Sequence, residues 1–349
     1  MELKDLPERI TGPGAWLGPD MATNPDRWLG TLTDDEIADL RRAAAQFAQT
    51  GKDVGQITAA DFPVTAVAAR INALRNTLAN DSGIAVWRGL PTDQMDIAEA
   101  ATIFCGVGAH IGPMRSQNAA GHVLGHVRDT GADPKDTSTR IYQTAARQTF
   151  HTDSADVVGL LCLQNAREGG DSLLVSAESI YNRMRAEAPE LLVRLFDPIA
   201  TDRRGEVPEG MQPYMTIPPL SWHDGKLTVF YQRQYIDSAQ RFPEAMRLTA
   251  DHLAALDMFD ALANDAGLHF SMRLEPGDMQ FVYNHAQLHD RTGFTDWPDP
   301  AQRRHLLRLW LSLPGDRALP DVFRQRYGSI TPGDRGGIIC PGTELNAPL

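Results

Sequence analysis

His151-Thr152-Asp153 sets an imidazole and a carboxylate two residues apart. On an extended strand, residues i and i+2 project from the same face, so both side chains can reach one cation. The segment Tyr283-Asn284-His285-Ala286-Gln287-Leu288-His289-Asp290-Arg291 supplies a second imidazole. His285 and His289 share strand parity, and spacing alone does not choose between them. Two neutral nitrogens and one carboxylate on one face hold a ferrous ion with three coordination positions open, two for a chelating co-substrate and one for dioxygen. A cation is built into the run from Arg304 to Leu313. Leu307, Leu309, Leu311 and Leu313 take one face of that strand, and Leu306, Arg308, Trp310 and Ser312 take the other. Burying a guanidinium without a partner is costly, so Arg308 either pairs with a protein carboxylate or receives an anionic ligand. Gly169-Gly170-Asp171-Ser172 reads as a tight turn feeding a strand, and the Ser172 hydroxyl can share that anion.

Holding these residues in place requires a strand-rich centre. Short strands are predicted at 121–128, 157–163, 171–176, 227–236, 267–275, 279–284 and 305–313, with helical spacing at 177–196 and 242–264. That pattern describes an α+β chain, mainly β at its core, with helices packed on a largely antiparallel sheet. The first third is mostly helical. Thr33-Asp34-Asp35-Glu36 has capping-box form ahead of Ile37, Leu40, Ala44 and Phe47, which predicts a helix over 33–49. A second helix is predicted over 63–79, a short buried strand over 83–87, and a third helix capped by Thr92 and running towards Gly106. Residues 129–139 are polar and turn-rich, which predicts a loop or lid, and the Gly/Pro-rich segment from Gly328 onward predicts an irregular tail.

The 349 residues, 42% hydrophobic and 22% charged, predict one large globular domain. With 33 Lys+Arg against 45 Asp+Glu the net charge is -12, which argues against a nucleic-acid or anionic-membrane surface. The three cysteines, Cys105, Cys162 and Cys340, are far apart and form no CxxC pair. They suggest neither a disulfide framework nor a thiolate zinc site, and fit a reducing, cytoplasmic setting. The first residues lack the apolar stretch of a signal peptide, and the longest apolar strand-like run, Val157 to Leu163, is far too short to span a bilayer.

Taken as a set, these pieces resemble the taurine dioxygenase-like (TauD/TfdA, clavaminate synthase-like) family of Fe(II)- and 2-oxoglutarate-dependent oxygenases. The resemblance runs from SGIAVWRGLP through FHTDSADVVGLLCL and GGDSLLVS to LHDRTGFTDWPDPAQRRHLLRLWLSLP. It implies a double-stranded β-helix, a distorted jelly roll with flanking helices, over residues 81–330. A helical N-terminal extension (1–80) would precede it and an irregular tail (331–349) would follow. It also implies His151, Asp153 and His289 as iron ligands, His289 being chosen for its His-x-Arg context with Arg291. Arg308 would be the partner of the distal carboxylate of 2-oxoglutarate, with Ser172 as its hydroxyl companion and Arg304 as a second candidate. The implied cofactors are Fe(II), 2-oxoglutarate and dioxygen. The implied reaction is oxidation of a substrate C–H bond, with release of succinate and CO2; a carboxylate at Asp153 favours hydroxylation over halogenation. The expected partner is a small, anionic molecule, with Arg147, Arg115, Tyr142 and Gln148 as residues to line its pocket. Two alternatives stand beside this: a zinc hydrolase using the same ligands, and a non-catalytic small-molecule binding protein. The first 80 residues leave three roles open, as a lid, a packing layer or the contact of a homo-oligomer.

Overall fold

The computed structural model describes residues 1–133, 140–338 and 343–349. Part of the predicted 129–139 loop, and Cys340, lie outside the described residues.

Two sheets face each other. The larger has six strands: β1 (Leu29–Thr31), β2 (Ile84–Arg88), β3 (Leu124–Val127), β5 (Val157–Gln164), β8 (Met279–Tyr283) and β10 (His305–Leu311), in the spatial order β1-β2-β8-β5-β10-β3. The smaller has four: β4 (Gln148–His151), β6 (Ser172–Ser176), β7 (His269–Met272) and β9 (Gln287–Arg291), in the order β7-β6-β9-β4. All pairings are antiparallel except β1 with β2. Two facing, largely antiparallel sheets, between which the chain alternates from β3 to β6 and again from β7 to β10, make the jelly-roll core expected from the sequence.

The leucines of β10 show how the pattern becomes packing. Leu307, Leu309, Leu311 and Leu313 are buried against helices α1 (Asp34–Ala48), α2 (Ala68–Asn80) and α3 (Ile97–Ile111) on the outer face of the larger sheet. Each fully buried leucine contributes about 2 kcal/mol. The capping box of Thr33 and Glu36 closes the first turn of α1 as the sequence predicts. The cap of α3, by contrast, is Asp96 and not Thr92, which begins a short 3₁₀ turn instead. A second apolar cluster joins the smaller sheet to α4 (Ala177–Glu187) and α5 (Ala250–Ala263), through residues such as Val175, Leu288, Tyr181 and Phe259. Between the sheets, Val86, Cys162, Val282 and Leu306 meet Leu174 and Phe270. This filling leaves the opposite end of the sandwich for polar groups.

The boundaries differ from expectation at two places. The strand predicted over 227–236 stops at Val229 and the chain turns helical at Arg233, while the helix predicted from 242 begins at Ala250 behind a Thr249 cap. The described tail residues carry strand pairing: Ile330–Thr331 pairs with Asp334–Arg335, and Asn346 pairs with His122 and Val123 just ahead of β3. No helix among the described residues is long and apolar enough to cross a membrane.

Candidate metal centre and active site

Strand register brings the two imidazoles together. His289 on β9 lies directly opposite His151 on β4, and their ring centroids are 4.2 Å apart. The register shifts between His289 and Arg291, a bulge of the kind that re-aims side chains beside sites. Asp153 sits just past β4, where Asn284 fixes its backbone. The Asn284 Oδ1 accepts from the Asp153 N–H at 2.9 Å, and its Nδ2 donates to the carbonyls of Asp153 and Ala155 at 2.6 and 2.7 Å. The carboxylate then stands 3.9 Å from His151 Nε2 and 3.7 Å from His289 Nε2. The three ligand atoms all lie within 4.8 Å of one another.

The protonation states suit a divalent cation. His151 Nδ1 lies 2.8 Å from the Thr149 carbonyl, where only an N–H is satisfied, and the Gln148 amide lies 2.8 Å from Nε2, where it donates to a lone pair. The inward nitrogen is thus the unprotonated one, as a metal ligand must be. Burial, reinforced by the neighbouring His289, pushes the His151 pKa down to about 3, so the ring is neutral. Burial opposes ionisation of Asp153, but Arg308 and the two imidazoles hold its carboxyl well below the usual range. The donor set therefore fits Fe(II): two imidazole nitrogens and one carboxylate, beside the cavities that His151 lines.

His285, the other candidate, does not join this group. It is fully buried and bonds Asp156 at 2.7 Å, in a network where Arg335 contacts both Asp156 (2.8 Å) and Asp316 (2.7 Å). With Asp316 these residues also meet the geometry for a cation, but the Arg335 guanidinium already supplies the positive charge there.

Two cavities open from the triad, and Tyr142, Gln148, His151 and Arg308 line both. The smaller, roughly 480 Å³, reaches Ser172, Gln280 and Arg304. The larger, roughly 720 Å³, reaches Arg140, Arg203, Tyr235 and Arg326. Arg308 points into this junction but is already engaged. It donates to Gln117 Oε1 at 2.8 Å and to Asp153 Oδ2 at 3.3 Å, with its guanidinium over the rings of Tyr142 and Trp310. Arg304 differs: it is 5% exposed, and its Nη1 has no hydrogen-bond partner. Burial pushes its pKa down to about 10. Gly170 makes room for it, because a Cβ there would stand 2.8 Å from Arg304 Nε, and its φ of +76° already favours glycine.

Of the expected pocket residues, Tyr142 and Gln148 line both cavities. Arg147 and Arg115 line neither. Arg147 points away, to Asp290 at 2.6 Å and Asn264, and Arg115 is held by Asp334 and the Gly336 carbonyl. Sequence reasoning missed Asn284, Gln117, Trp310, Arg203 and Arg326 as parts of the site. Of these only Trp310 carried a signal, its parity with Arg308 on the inward face of β10.

The comparisons with known proteins agree with this geometry. Residues 45–310 match the family described as taurine catabolism dioxygenase TauD, TfdA family. The chain is 32% identical over 333 residues to the FR-33289 synthase of Streptomyces rubellomurinus (strain ATCC 31215), covering 93% of this chain and 96% of that protein. It is 29% identical over 305 residues to the taurine hydroxylase-like protein SAT17 of Stachybotrys chartarum (strain CBS 109288 / IBT 7711), covering 84% and 77%. Its fold matches the crystal structure of asparagine oxygenase in complex with Fe(II), 2S,3S-3-hydroxyasparagine and succinate, with a TM-score of 0.65 at 16% identity over 81% of this chain and 93% of that one. Neither the zinc-hydrolase nor the binding-protein alternative is compatible with this kinship. The chain belongs to the TauD/TfdA family and is a non-haem Fe(II), 2-oxoglutarate-dependent dioxygenase.

Proposed function

We propose that this dioxygenase hydroxylates a C–H bond of a small organic anion, with 2-oxoglutarate seated in the smaller cavity and the substrate in the larger. The observation that carries this reading is the pair of cavities that share His151 in their lining, the smaller with the buried Arg304 and the larger with the buried Arg203 among their other lining residues. His151, Asp153 and His289 would hold Fe(II). Bound there, the metal would supply the centre at which 2-oxoglutarate and dioxygen react, yielding succinate, CO2 and an oxidised substrate.

The protein's own residues do the rest. Arg304, with its partnerless Nη1, would take the distal carboxylate of 2-oxoglutarate, and the Ser172 hydroxyl in the same cavity would support it. That exchanges the ranks given to Arg304 and Arg308 by the resemblance. Arg308 and Trp310 would hold Asp153 as an ionised, oriented ligand, and Gln148 would yield its place on His151 Nε2 to the metal. The rings of Tyr142 and Trp310, 4.6 and 5.2 Å from the Arg308 guanidinium, would give the junction apolar surface that helps to keep water from the reacting groups. Slow succinate release from 2-oxoglutarate in the presence of Fe(II) and dioxygen, without substrate, tests the reading. It should be abolished in His289→Ala, and equal release in that variant would contradict the ligand assignment.

A further inference from the structure

Three glutamines line the larger cavity, and two of them are occupied. Gln117 accepts from Arg308 Nε and gives its Nε2 to the carbonyls of Val123 and Arg308, each at 2.8 Å. Gln148 stands on His151 Nε2. Gln232 differs: its Oε1 is closed to solvent and has no hydrogen-bond partner, the only such side-chain atom among the described residues lining that cavity. Gln232 is also the N-cap of the helix Arg233–Ala239, yet its side chain makes no capping bond to the first turn. Its place is fixed by the chain before it. The Thr152 N–H donates to the Tyr231 carbonyl at 2.8 Å, the Tyr231 N–H to Thr152 Oγ1 at 2.9 Å, and the Tyr231 hydroxyl to Asp260 at 2.6 Å. This pairing sets Gln232 directly opposite His151 in an antiparallel bridge, where opposed side chains share a face with Cβ atoms about 4.5–5.5 Å apart.

A buried amide oxygen without a donor is costly, and a ligand that donates to it removes that cost. A fixed acceptor beside His151 therefore selects among ligands. We propose that Gln232 is a specificity-determining residue: it accepts a hydrogen bond from a neutral O–H or N–H group of the substrate, a hydroxyl or an amide, and so holds the neighbouring carbon towards the triad. A carboxylate or a bare hydrocarbon would leave the oxygen unpaired. An ammonium group would donate to it, but four arginines against two aspartates line the same cavity, and like charge disfavours a cation there. A site that hydrogen-bonds a substrate O–H or N–H rejects the analogue lacking it, because its own buried polar atom is then left without a partner. This role rests on the proposed assignment of the larger cavity to the substrate, and it adds the class of group selected there.

The test uses anaerobic holoprotein loaded with Fe(II) and saturating 2-oxoglutarate, titrated calorimetrically with small anions in isosteric pairs. Glycolate, 3-hydroxypropionate and 4-hydroxybutyrate are set against propionate, butyrate and valerate, in which methyl replaces the hydroxyl. Succinamate is set against 4-oxopentanoate, in which methyl replaces the amide nitrogen. In the wild type at least one donor-bearing member should bind about fivefold or more tightly than its isostere, and the pair that responds distinguishes a hydroxyl from an amide. Gln232→Leu should bring that ratio close to one. No preference in any wild-type pair, or the same preference in Gln232→Leu, would overturn the role. The visible band of the Fe(II)–2-oxoglutarate complex is followed in the same samples, and its presence in Gln232→Leu would show that the variant is folded with its cofactors seated. Absence of the band in the wild type would sink the cofactor assignment on which the role rests. Its loss in Gln232→Leu alone would place Gln232 at the metal and overturn the role in substrate selection.

Discussion

Trp310 donates its indole N–H to Asp153 Oδ2 at 2.8 Å, and Arg308 Nη1 stands 3.3 Å from the same oxygen. One carboxylate oxygen is thereby held by two donors from alternate positions on β10, which fixes the plane of the carboxylate. Partners of this kind set ligand orientation and are worth about ten- to a hundredfold in metal affinity. Trp310→Phe keeps the ring among Ala155, Val158 and Ile338 but removes the N–H. It should weaken Fe(II) or Co(II) binding about tenfold in an anaerobic titration, and unchanged affinity would show that the indole only packs.

The two arginines of β10 and its approach should separate in their effects. Arg304→Ala should raise the apparent Kd for 2-oxoglutarate by about a hundredfold, as loss of a charged bidentate contact does. Arg304→Lys should recover part of that loss. Arg308→Lys should act mainly on the metal, through Asp153. The reverse pattern, measured by titrating 2-oxoglutarate into the Fe(II) protein, would restore Arg308 as the carboxylate partner.

The buried network around His285 should be a stability element. Arg335, Asp156 and His285 are all inaccessible to solvent, and Arg335 bridges the two carboxylates. Arg335→Met leaves those charges without their cation and should cost about 3–5 kcal/mol in urea unfolding. Combining it with Asp156→Asn should cost less than the sum of the two changes. Additive losses would mean that the groups are not coupled.

His305 predicts a pH dependence. Its Nε2 lies 2.8 Å from His126 Nδ1, and burial, with the positive field of His126 and Arg128, lowers its pKa from 6.5 to about 4. Between those values the unfolded chain binds the extra proton, so this contribution is whole above about pH 6.5 and is lost as pH falls towards 4. Discounted for partial exposure, it is worth about 1–2 kcal/mol. His305→Gln should flatten the slope of unfolding free energy against pH in that window, and an unchanged slope would exclude His305 as its source.

Much of the fold was legible because its period was regular. The alternation in β10 placed the leucines outward and Arg308 and Trp310 inward, and the Thr33 capping box located α1 within a residue. Spacing did not single out the facing pair of imidazoles, since His285 and His289 share parity; the His-x-Arg context pointed to His289, which the β4–β9 register sets opposite His151. The arginines of the larger cavity were also hidden. Arg203 follows the strand Ile199–Asp202 and Arg326 lies in the short helix Arg324–Tyr327, more than a hundred residues apart in sequence, and neither carries a local motif. Arg147 lies four residues before His151, but its side chain pairs with Asp290.

In the proposed site His151, Asp153 and His289 would hold Fe(II) and Arg304 would seat 2-oxoglutarate beside it. The most direct measurement is the visible charge-transfer band that forms when 2-oxoglutarate is added to anaerobic Fe(II) protein. The wild type should give a saturable band, His151→Ala and Asp153→Ala none, and Arg304→Ala a band that appears only at much higher 2-oxoglutarate. A band of equal intensity and affinity in all four proteins would contradict that assignment.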